Sequence, residues 1–482
     1  MIDIKVSDIT LDKEQMRALT SDSKATLVIA GAGCGKTTTI VGRIKYLLEN
    51  KNISQEEILV ISFTNASVDD LKNKLIKNGI KNIDVLTFHK LSNKILKEGG
   101  EEFNIVDNYL EFVLDEYFAA LIYDDIEAMY CVLKYYDITT LKFNVLKKYK
   151  NLLKNCDISF LKKSLVRFIK TLKTNGYDIL KFKTFYKRKI KTRSFYYLKF
   201  ALLIYQIYEY ELKSNNLYDF EKLIVDSIEK LDFVNLNYKA LIIDEYQDTS
   251  PIKFKLVKKI VDKTGASFFA VGDDFQSIYR FAGCDLNIML DFKTYFPGGE
   301  IFFITKTYRN SKQLLDIAGK FIMKNKSQIE KELKSDKELL NPVKFIYYKN
   351  PKQAFSNILK LNSDKEILIL GRNNNDISKY ADKLPLNAKY LTVHKSKGLE
   401  SDVTILINMY DSVLGFPSKL IEDKMLKLVL PISDRYPYSE ERRLFYVALT
   451  RTKSYVYIMV PTIKKSIFVK ELEKIVKRSK VV

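Results

Sequence analysis

The run Leu27-Val28-Ile29-Ala30-Gly31-Ala32-Gly33-Cys34-Gly35-Lys36-Thr37-Thr38 narrows the folds open to this chain more than any other stretch. Leu27 to Ala30 read as a short buried strand and Gly31, Gly33 and Gly35 as a loop. From Thr37 onward, Ile40, Val41, Ile44 and Leu47 recur at helical spacing. Strand, glycine loop and helix in that order make a phosphate cradle. Residues without Cβ let backbone N–H groups turn toward one centre, and the helix N-terminus adds its partial positive charge. Lys36 then reaches β- and γ-phosphates and Thr37 is placed to ligate Mg²⁺, so Ala30 to Thr38 are the expected nucleotide-binding residues. One position departs from the strict pattern, which opens with Gly where this chain has Ala30.

With 482 residues the chain is long enough for two or more domains. It is 46% hydrophobic and 29% charged, and no apolar run is long enough to span a bilayer. Met1 to Lys5 carry no apolar signal region, so no membrane and a cytoplasmic location are expected. Cys34, Cys131, Cys156 and Cys284 are scattered, which excludes paired zinc spacing and a disulfide framework. A net charge of +21 suits a polyanionic partner. Lys greatly outnumbers Arg, however, and Trp is absent, as an AT-rich genome biases any protein, so charge alone decides nothing. The arginines at 280, 309, 372, 442, 443 and 451 fall inside motifs, where Lys does not replace a planar bidentate cation.

Ile58 to Phe63 reads as a buried parallel strand followed by Thr64-Asn65-Ala66-Ser67, and Val85 to His89 repeats the pattern. Ligands sit at the carboxyl ends of strands in open parallel sheets, so Phe63, Thr64, Asn65, Thr87 and His89 lie at a working edge. From Leu91 to Val234 the pattern is helical, acidic from Glu111 to Glu127 and then basic and aromatic, with Lys187-Arg188-Lys189 and Phe195-Tyr196-Tyr197. That segment reads either as a helical insertion lining a strand groove or as a solvated surface with an aromatic core.

Tyr238 to Ile243 is the next strand, expected to pair beside the phosphate-loop strand, and it delivers Asp244 and Glu245. Asp244 is suited to hold Mg²⁺ through water, and Glu245 to orient and deprotonate an attacking water. Ser267 to Val271 leads to Gln276, a γ-phosphate sensor, and to Tyr279 and Phe281, which offer faces for base stacking. A second sheet domain is expected from Asp285, with Ile301 to Ile304, Ile367 to Leu370, Tyr390 to Val393, Val403 to Ile407 and Tyr455 to Val460 as strands.

In this order the motifs resemble the UvrD/Rep-like superfamily 1A helicases from end to end. The DNA helicase IV branch is most similar, through Val271-Gly272-Asp273-Asp274-Phe275-Gln276-Ser277-Ile278-Tyr279-Arg280-Phe281-Ala282-Gly283 and Glu440-Glu441-Arg442-Arg443-Leu444-Phe445-Tyr446-Val447-Ala448-Leu449-Thr450-Arg451. The resemblance implies an α/β fold of two RecA-like domains with ATP between them and single-stranded DNA across their tops. Residues 1–90 and 235–284 would form the first domain, 91–234 a helical insertion, and 285–482 the second domain. By position, Gln15 would contact adenine, Tyr308 would stack on it and Glu400 would lie near the ribose. Arg309 and Arg451 would be arginine fingers. Phe63, Thr64, Asn65, Thr87, His89, Tyr279, Phe281, Arg372 and His394 would grip the strand.

The implied activity is 3′-to-5′ translocation and unwinding on single strands and single/double-strand junctions, in repair, recombination or defence, with ATP and Mg²⁺. Two positions depart from the family pattern: Thr38, where relatives often carry Arg, and the short span from Arg372 to Thr392, which leaves no room for a large inserted regulatory subdomain. The compact size also resembles the helicase subunit of Gabija-type antiphage systems, which acts with a nuclease. The alternative is an ATP-gated DNA-binding subunit that switches a partner nuclease or repair complex. A helicase fused to its own nuclease is not expected, because the chain stops at Val482 soon after Arg451.

Overall fold

In the computed structural model, residues 4–138, 145–177, 192–432 and 434–479 are described, and Lys187-Arg188-Lys189 lie outside them. The strand Ala25–Ala30 is buried along its whole length, as a strand covered by helices on both faces requires. So are Ile58–Ser62 and Ala240–Ile243. They belong to a six-stranded sheet in the order Glu300–Ile304, Ala25–Ala30, Ser267–Gly272, Ala240–Ile243, Ile58–Ser62, Asp84–Thr87. Every pairing in it is parallel. A second, five-stranded sheet runs Val343–Tyr348, Thr452–Pro461, Ser401–Leu406, Ile367–Gly371, Ala388–Thr392, again all parallel. Each sheet has an apolar core on both faces. The fold is therefore α/β with two RecA-like parallel-sheet domains.

Three features differ from the sequence reading. The strand Glu300–Ile304 does not open the second sheet. It forms the edge of the first, beside Ala25–Ala30. Side chains fix it there: the Ser21 hydroxyl donates to Glu300 Oε2 at 2.7 Å, and Thr305 donates its amide and hydroxyl to Glu14 at 2.6 and 2.9 Å. An apolar run shows that a strand forms, not which sheet it joins. The crossing to the second domain comes after it, and helix Lys312–Ile322 buries Leu314, Ala318, Phe321 and Ile322 in the second core.

The helical insertion is shorter than 91–234. Helices Phe88–Glu98 and Phe220–Lys230 bury Leu91, Ile95, Ile224 and Ile228 in a core of the first sheet. The insertion's neck is the pairing of Asn104–Ile105 with Leu217–Tyr218. Beyond it the helices share their own core, in which Tyr197 is buried and against which Tyr196 packs. Those aromatics build that core and do not line a groove. The third difference is Val343–Tyr348, an edge strand of mixed burial that carries no motif.

One segment of the second half reaches into the insertion. Met425, Leu426, Val429 and Leu430 are buried in the helical core, and Asp423 Oδ2 accepts from the Ser164 hydroxyl at 2.8 Å. Among the described residues no helix is long and apolar enough to cross a membrane. Leu426 is 3% exposed, so Leu426→Ala is expected to cost about 2–4 kcal/mol and to lower the denaturant midpoint of the helical subdomain. An unchanged midpoint in chemical denaturation would show that the segment is not anchored there.

Candidate active site and nucleic-acid interface

Two glycines shape the phosphate loop. Gly33 and Gly35 have φ of +74° and +75°, in the left-handed region that glycine enters freely. A Cβ at Gly33 would also lie 2.5 Å from Arg309 Cβ and 2.6 Å from Thr307 Oγ1. The Tyr308 amide donates to Gly33 O at 3.0 Å, and the Thr307 hydroxyl to Ala32 O at 2.8 Å. The segment Thr307–Arg309 thus rests directly on the loop. Ala30, Gly31, Ala32 and Cys34 are buried beneath it, and burial pushes the Cys34 thiol up to about 12, so it is inert. Lys36, Thr37 and Thr38 open the helix Lys36–Asn50.

Gln15 lies beside the loop, but its amide is engaged. It accepts from the Asp12 amide at 3.0 Å in a reciprocal helix cap and donates to Cys34 O at 3.4 Å. Tyr308 is 57% exposed next to it, with its hydroxyl 3.1 Å from Asp12.

Asp244 and Glu245 leave the end of Ala240–Ile243. That strand is not beside the phosphate-loop strand as expected; Ser267–Gly272 lies between them. The offset still brings Lys36 Nζ within 3.1 Å of Glu245 Oε2. Glu245 holds φ +52°, a strained conformation for a residue with a side chain, and its amide donates to Asp244 Oδ1 at 2.9 Å. Gln247 Nε2 donates to Glu245 at 2.5 Å. Lys397 Nζ is 4.0 Å from Glu245, donates to Gln276 O at 2.8 Å and pairs with Asp248.

Burial favours a proton on both members of the Asp244–Glu245 pair. At Glu245 the charges of Lys36 and Lys397 outweigh burial and hold the carboxylate down to about 2. At Asp244 burial and the Glu245 charge push it up to about 7. Burial likewise raises Asp248 to about 6.

Across the cleft, Arg309 Nε donates to Glu400 Oε2 at 2.6 Å. Arg451 is 1% exposed, and its Nη2 donates to Gln276 Oε1 at 3.1 Å. Burial and the neighbouring Arg309 lower its pKa to about 9. Gln276 donates from Nε2 to Asp273 Oδ2 at 2.6 Å.

A line of rings crosses both domains above this centre. Phe63 stacks on Tyr279 with centroids 5.9 Å apart and 10° between planes, Tyr279 lies 6.1 Å from Phe281, and Phe281 lies 5.3 Å from His394. The Tyr279 hydroxyl donates to His394 O at 3.0 Å. Thr64 and Thr87 cap helices, each accepting a backbone N–H, and Asn65 is exposed in the first turn after Thr64. The His89 ring packs on Phe220 at 4.8 Å, and burial lowers its pKa to about 4, as it does for His394.

Arg372 meets Glu441 through Nε at 3.0 Å and Nη2 at 2.8 Å. It faces a cavity of about 1360 Å³ between helix Ser159–Thr174 and the segment 418–441.

Sequence reading assigned no role to Lys397, Lys331 or Lys253. Lys397 comes soon after the strand Tyr390 to Val393, but nothing in its spacing shows that it reaches the carboxylates. Lys253 Nζ sits 4.4 Å over the Phe63 ring from a helix whose sequence is an ordinary amphipathic one.

The comparisons with known proteins agree with this arrangement. The UvrD/REP helicase N-terminal domain matches residues 11–297, and the UvrD-like helicase C-terminal domain matches residues 386–462. The chain is 28% identical to DNA helicase IV of Escherichia coli over 501 aligned positions, covering 97% of this chain and 71% of that protein. It is 26% identical to the ATP-dependent DNA helicase PcrA of Bacillus subtilis, over 70% of this chain and 42% of that one. A phosphate loop, a carboxylate pair and two arginines met across two parallel sheets, in a chain matched by this family over more than half its length, lead to one assignment: the chain belongs to the UvrD/REP helicase family and is an ATP-dependent DNA helicase.

Proposed function

We propose that this chain is a motor in which ATP hydrolysis between the two sheets drives 3′-to-5′ movement along single-stranded DNA and separates strands ahead of it. The observation that carries the reading is the ring line Phe63, Tyr279, Phe281 and His394, assembled from both domains and joined to the hydrolytic centre. Tyr279 follows Gln276 by one short turn. Lys397 follows His394 equally closely, bonds Gln276 and lies 5.2 Å over the Tyr279 ring. Stacking is indifferent to base identity, which suits movement along any sequence. The direction is the one implied by the superfamily 1A resemblance.

In this reading Lys36 and the loop amides hold the triphosphate, and Arg309 and Arg451 stabilise charge on the transferred phosphoryl group. When Lys36 turns to the phosphates, Glu245 loses one of the two cations that hold it low and becomes a better base for water. Thr37 and Asp244 supply hard oxygen donors, which suit Mg²⁺. Among the described residues no cluster of three or more His, Cys, Asp or Glu side chains is placed to hold a metal ion. The ion supplies charge neutralisation at the phosphates. Tyr308 stacks on the adenine, and Gln15 reaches it only by giving up its bond to the loop.

Steady-state hydrolysis should rise on adding single-stranded DNA, with displacement of a 3′-tailed duplex in the same buffer. Glu245→Gln should lower kcat by about 100-fold or more while nucleotide binding persists. Hydrolysis indifferent to DNA would defeat the motor reading. Stimulated hydrolysis without displacement would favour a translocase that acts with a nuclease or repair partner.

Phe281 is 46% exposed at the end of the ring line. Phe281→Ala should weaken single-strand binding by about 1–3 kcal/mol in a fluorescence titration, and unaltered affinity would remove it from the track.

The pH dependence follows from Asp244, whose carboxyl is raised to about 7. A raised carboxyl keeps its proton, and the stability this gives the metal-free fold is lost as pH rises through 7. Below that pH the proton competes with Mg²⁺. The acid limb of the ATPase profile should therefore lie near 7 and move to lower pH as free Mg²⁺ is raised. A limb that stays in place at all Mg²⁺ concentrations would exclude Asp244 as its origin.

A further inference from the structure

Residues 327–337, Ser-Gln-Ile-Glu-Lys-Glu-Leu-Lys-Ser-Asp-Lys, carry no recognisable motif. They leave the end of helix Lys312–Ile322 and turn back across the cleft onto the first domain. Leu333 packs against Gly31, where a Cβ would come within 2.6 Å of its methyls. Lys334 exchanges backbone bonds with the segment that bears Arg309: its amide donates to Thr305 O at 2.9 Å, and the Thr307 amide donates to Lys334 O at 2.8 Å. Leu333 and Lys334, neighbours in this strap, therefore touch the ATP site.

Two residues before Leu333, the Lys331 side chain is 1% exposed. Its Nζ is 2.8 Å from Asp273 Oδ1, also pairs with Asp274, and lies 3.6 Å from the Phe275 ring centroid. The second oxygen of Asp274 is taken by Gln328 Nε2 at 2.6 Å and the Ile329 amide at 2.8 Å. The second oxygen of Asp273 is taken by Gln276 Nε2 at 2.6 Å and, on the Oδ1 side, the Phe275 amide donates at 3.2 Å. The Asp273 amide donates to Gln247, which bonds Glu245.

The chemistry of these groups fixes a direction. An ionised carboxylate only accepts hydrogen bonds, so Gln276 must turn its NH₂ toward Asp273. Its oxygen then faces Arg451, which only donates. Without an acceptor at Asp273, only the bond from Arg451 would set the sense of the amide. A buried carboxylate stays ionised only when a cation compensates it. Lys331 is that cation.

We propose that Lys331 is a positioning residue of the ATP site, which keeps Asp273 acceptor-only so that Gln276 holds its oxygen on Arg451. The inference rests on the reading of Gln276 and Arg451 as groups that meet the phosphates. It adds a residue from the strap, through which cleft closure would be felt at the γ-phosphate.

Lys331→Met leaves two buried carboxylates without their cation and threatens the fold. The decisive variant is therefore Lys331→Met with Asp274→Asn, which removes one charge of each sign, measured beside Asp274→Asn alone. The double variant, which still buries Asp273 without its cation, is expected to unfold cooperatively at a lowered midpoint and to keep a KM for ATP within about twofold, while DNA-stimulated kcat falls by about tenfold or more, the scale of a misplaced catalytic group. Asp274→Asn alone, with the Lys331–Asp273 pair intact, is expected to keep most of its kcat.

Wild-type kcat in the double variant would overturn the proposal, because Lys331 would then merely compensate charge. An equal loss in Asp274→Asn alone would overturn it, as would failure of the charge-balanced variant to fold. The wild-type control separates the two levels: if DNA does not stimulate the unaltered chain, the motor reading itself fails, whatever the variants do.

Discussion

Phe275 belongs by sequence to the first domain and by packing to the second. It follows the strand Ser267–Gly272, yet its side chain is buried with Leu314, Leu444 and Tyr446 in the second core, 5.2 Å from the Tyr446 ring and nearly perpendicular to it. Ile278 is buried in the same cluster. Burial of two such side chains contributes about 3–6 kcal/mol, enough to root this turn in the far domain while its strand stays in the near one. Asp273, Gln276 and Tyr279 lie on or beside that turn. A change of angle between the sheets must therefore move Gln276 relative to Lys36 and Glu245, which follow strands of the first sheet. In the proposed motor this links nucleotide state to the ring line, because the same few residues are held from both sides.

The charges of the cleft are paired with one another. Lys36 faces Glu245, Arg309 faces Glu400, Lys397 faces Asp248, and Lys331 faces Asp273 and Asp274. In the proposed reading a triphosphate enters by exchanging partners rather than by filling a bare positive pocket. The exchange is selective. Glu400 is well exposed, so Arg309 leaves it at little cost, whereas Lys331 and its two carboxylates are buried and stay together. Lys36 lies between these extremes; in the proposed reading its departure toward phosphate raises the basicity of Glu245.

Much of this was legible in the sequence, for a physical reason in each case. Buried parallel strands are continuous apolar runs, so Ala25–Ala30, Ala240–Ile243 and Ile367–Gly371 stood out, and the polar residues at their ends marked the working edge. What a strand pairs with is not a local property. Glu300–Ile304 was given to the wrong sheet, and the carboxylate strand was placed one position too near the phosphate loop. Gln15 was read for its amide alone, while the cap it forms with Asp12 depends on the fold of a single turn. Lys331 had no signal at all: a lysine among lysines, in a strap without periodicity, gains meaning only from two aspartates on another domain.

The helical insertion is held from both domains. Toward the first, Lys173 of helix Ser159–Thr174 is buried against Asp219 at 2.5 Å, and the neck pairs Asn104–Ile105 with Leu217–Tyr218. Toward the second, Met425, Leu426, Val429 and Leu430 enter its core. Breaking a buried ion pair by removing one partner costs about 3–5 kcal/mol, and withdrawing four apolar side chains costs about 6–12 kcal/mol. Neither attachment is weak enough to open freely under thermal motion, so the insertion braces the cleft from outside the ATP site.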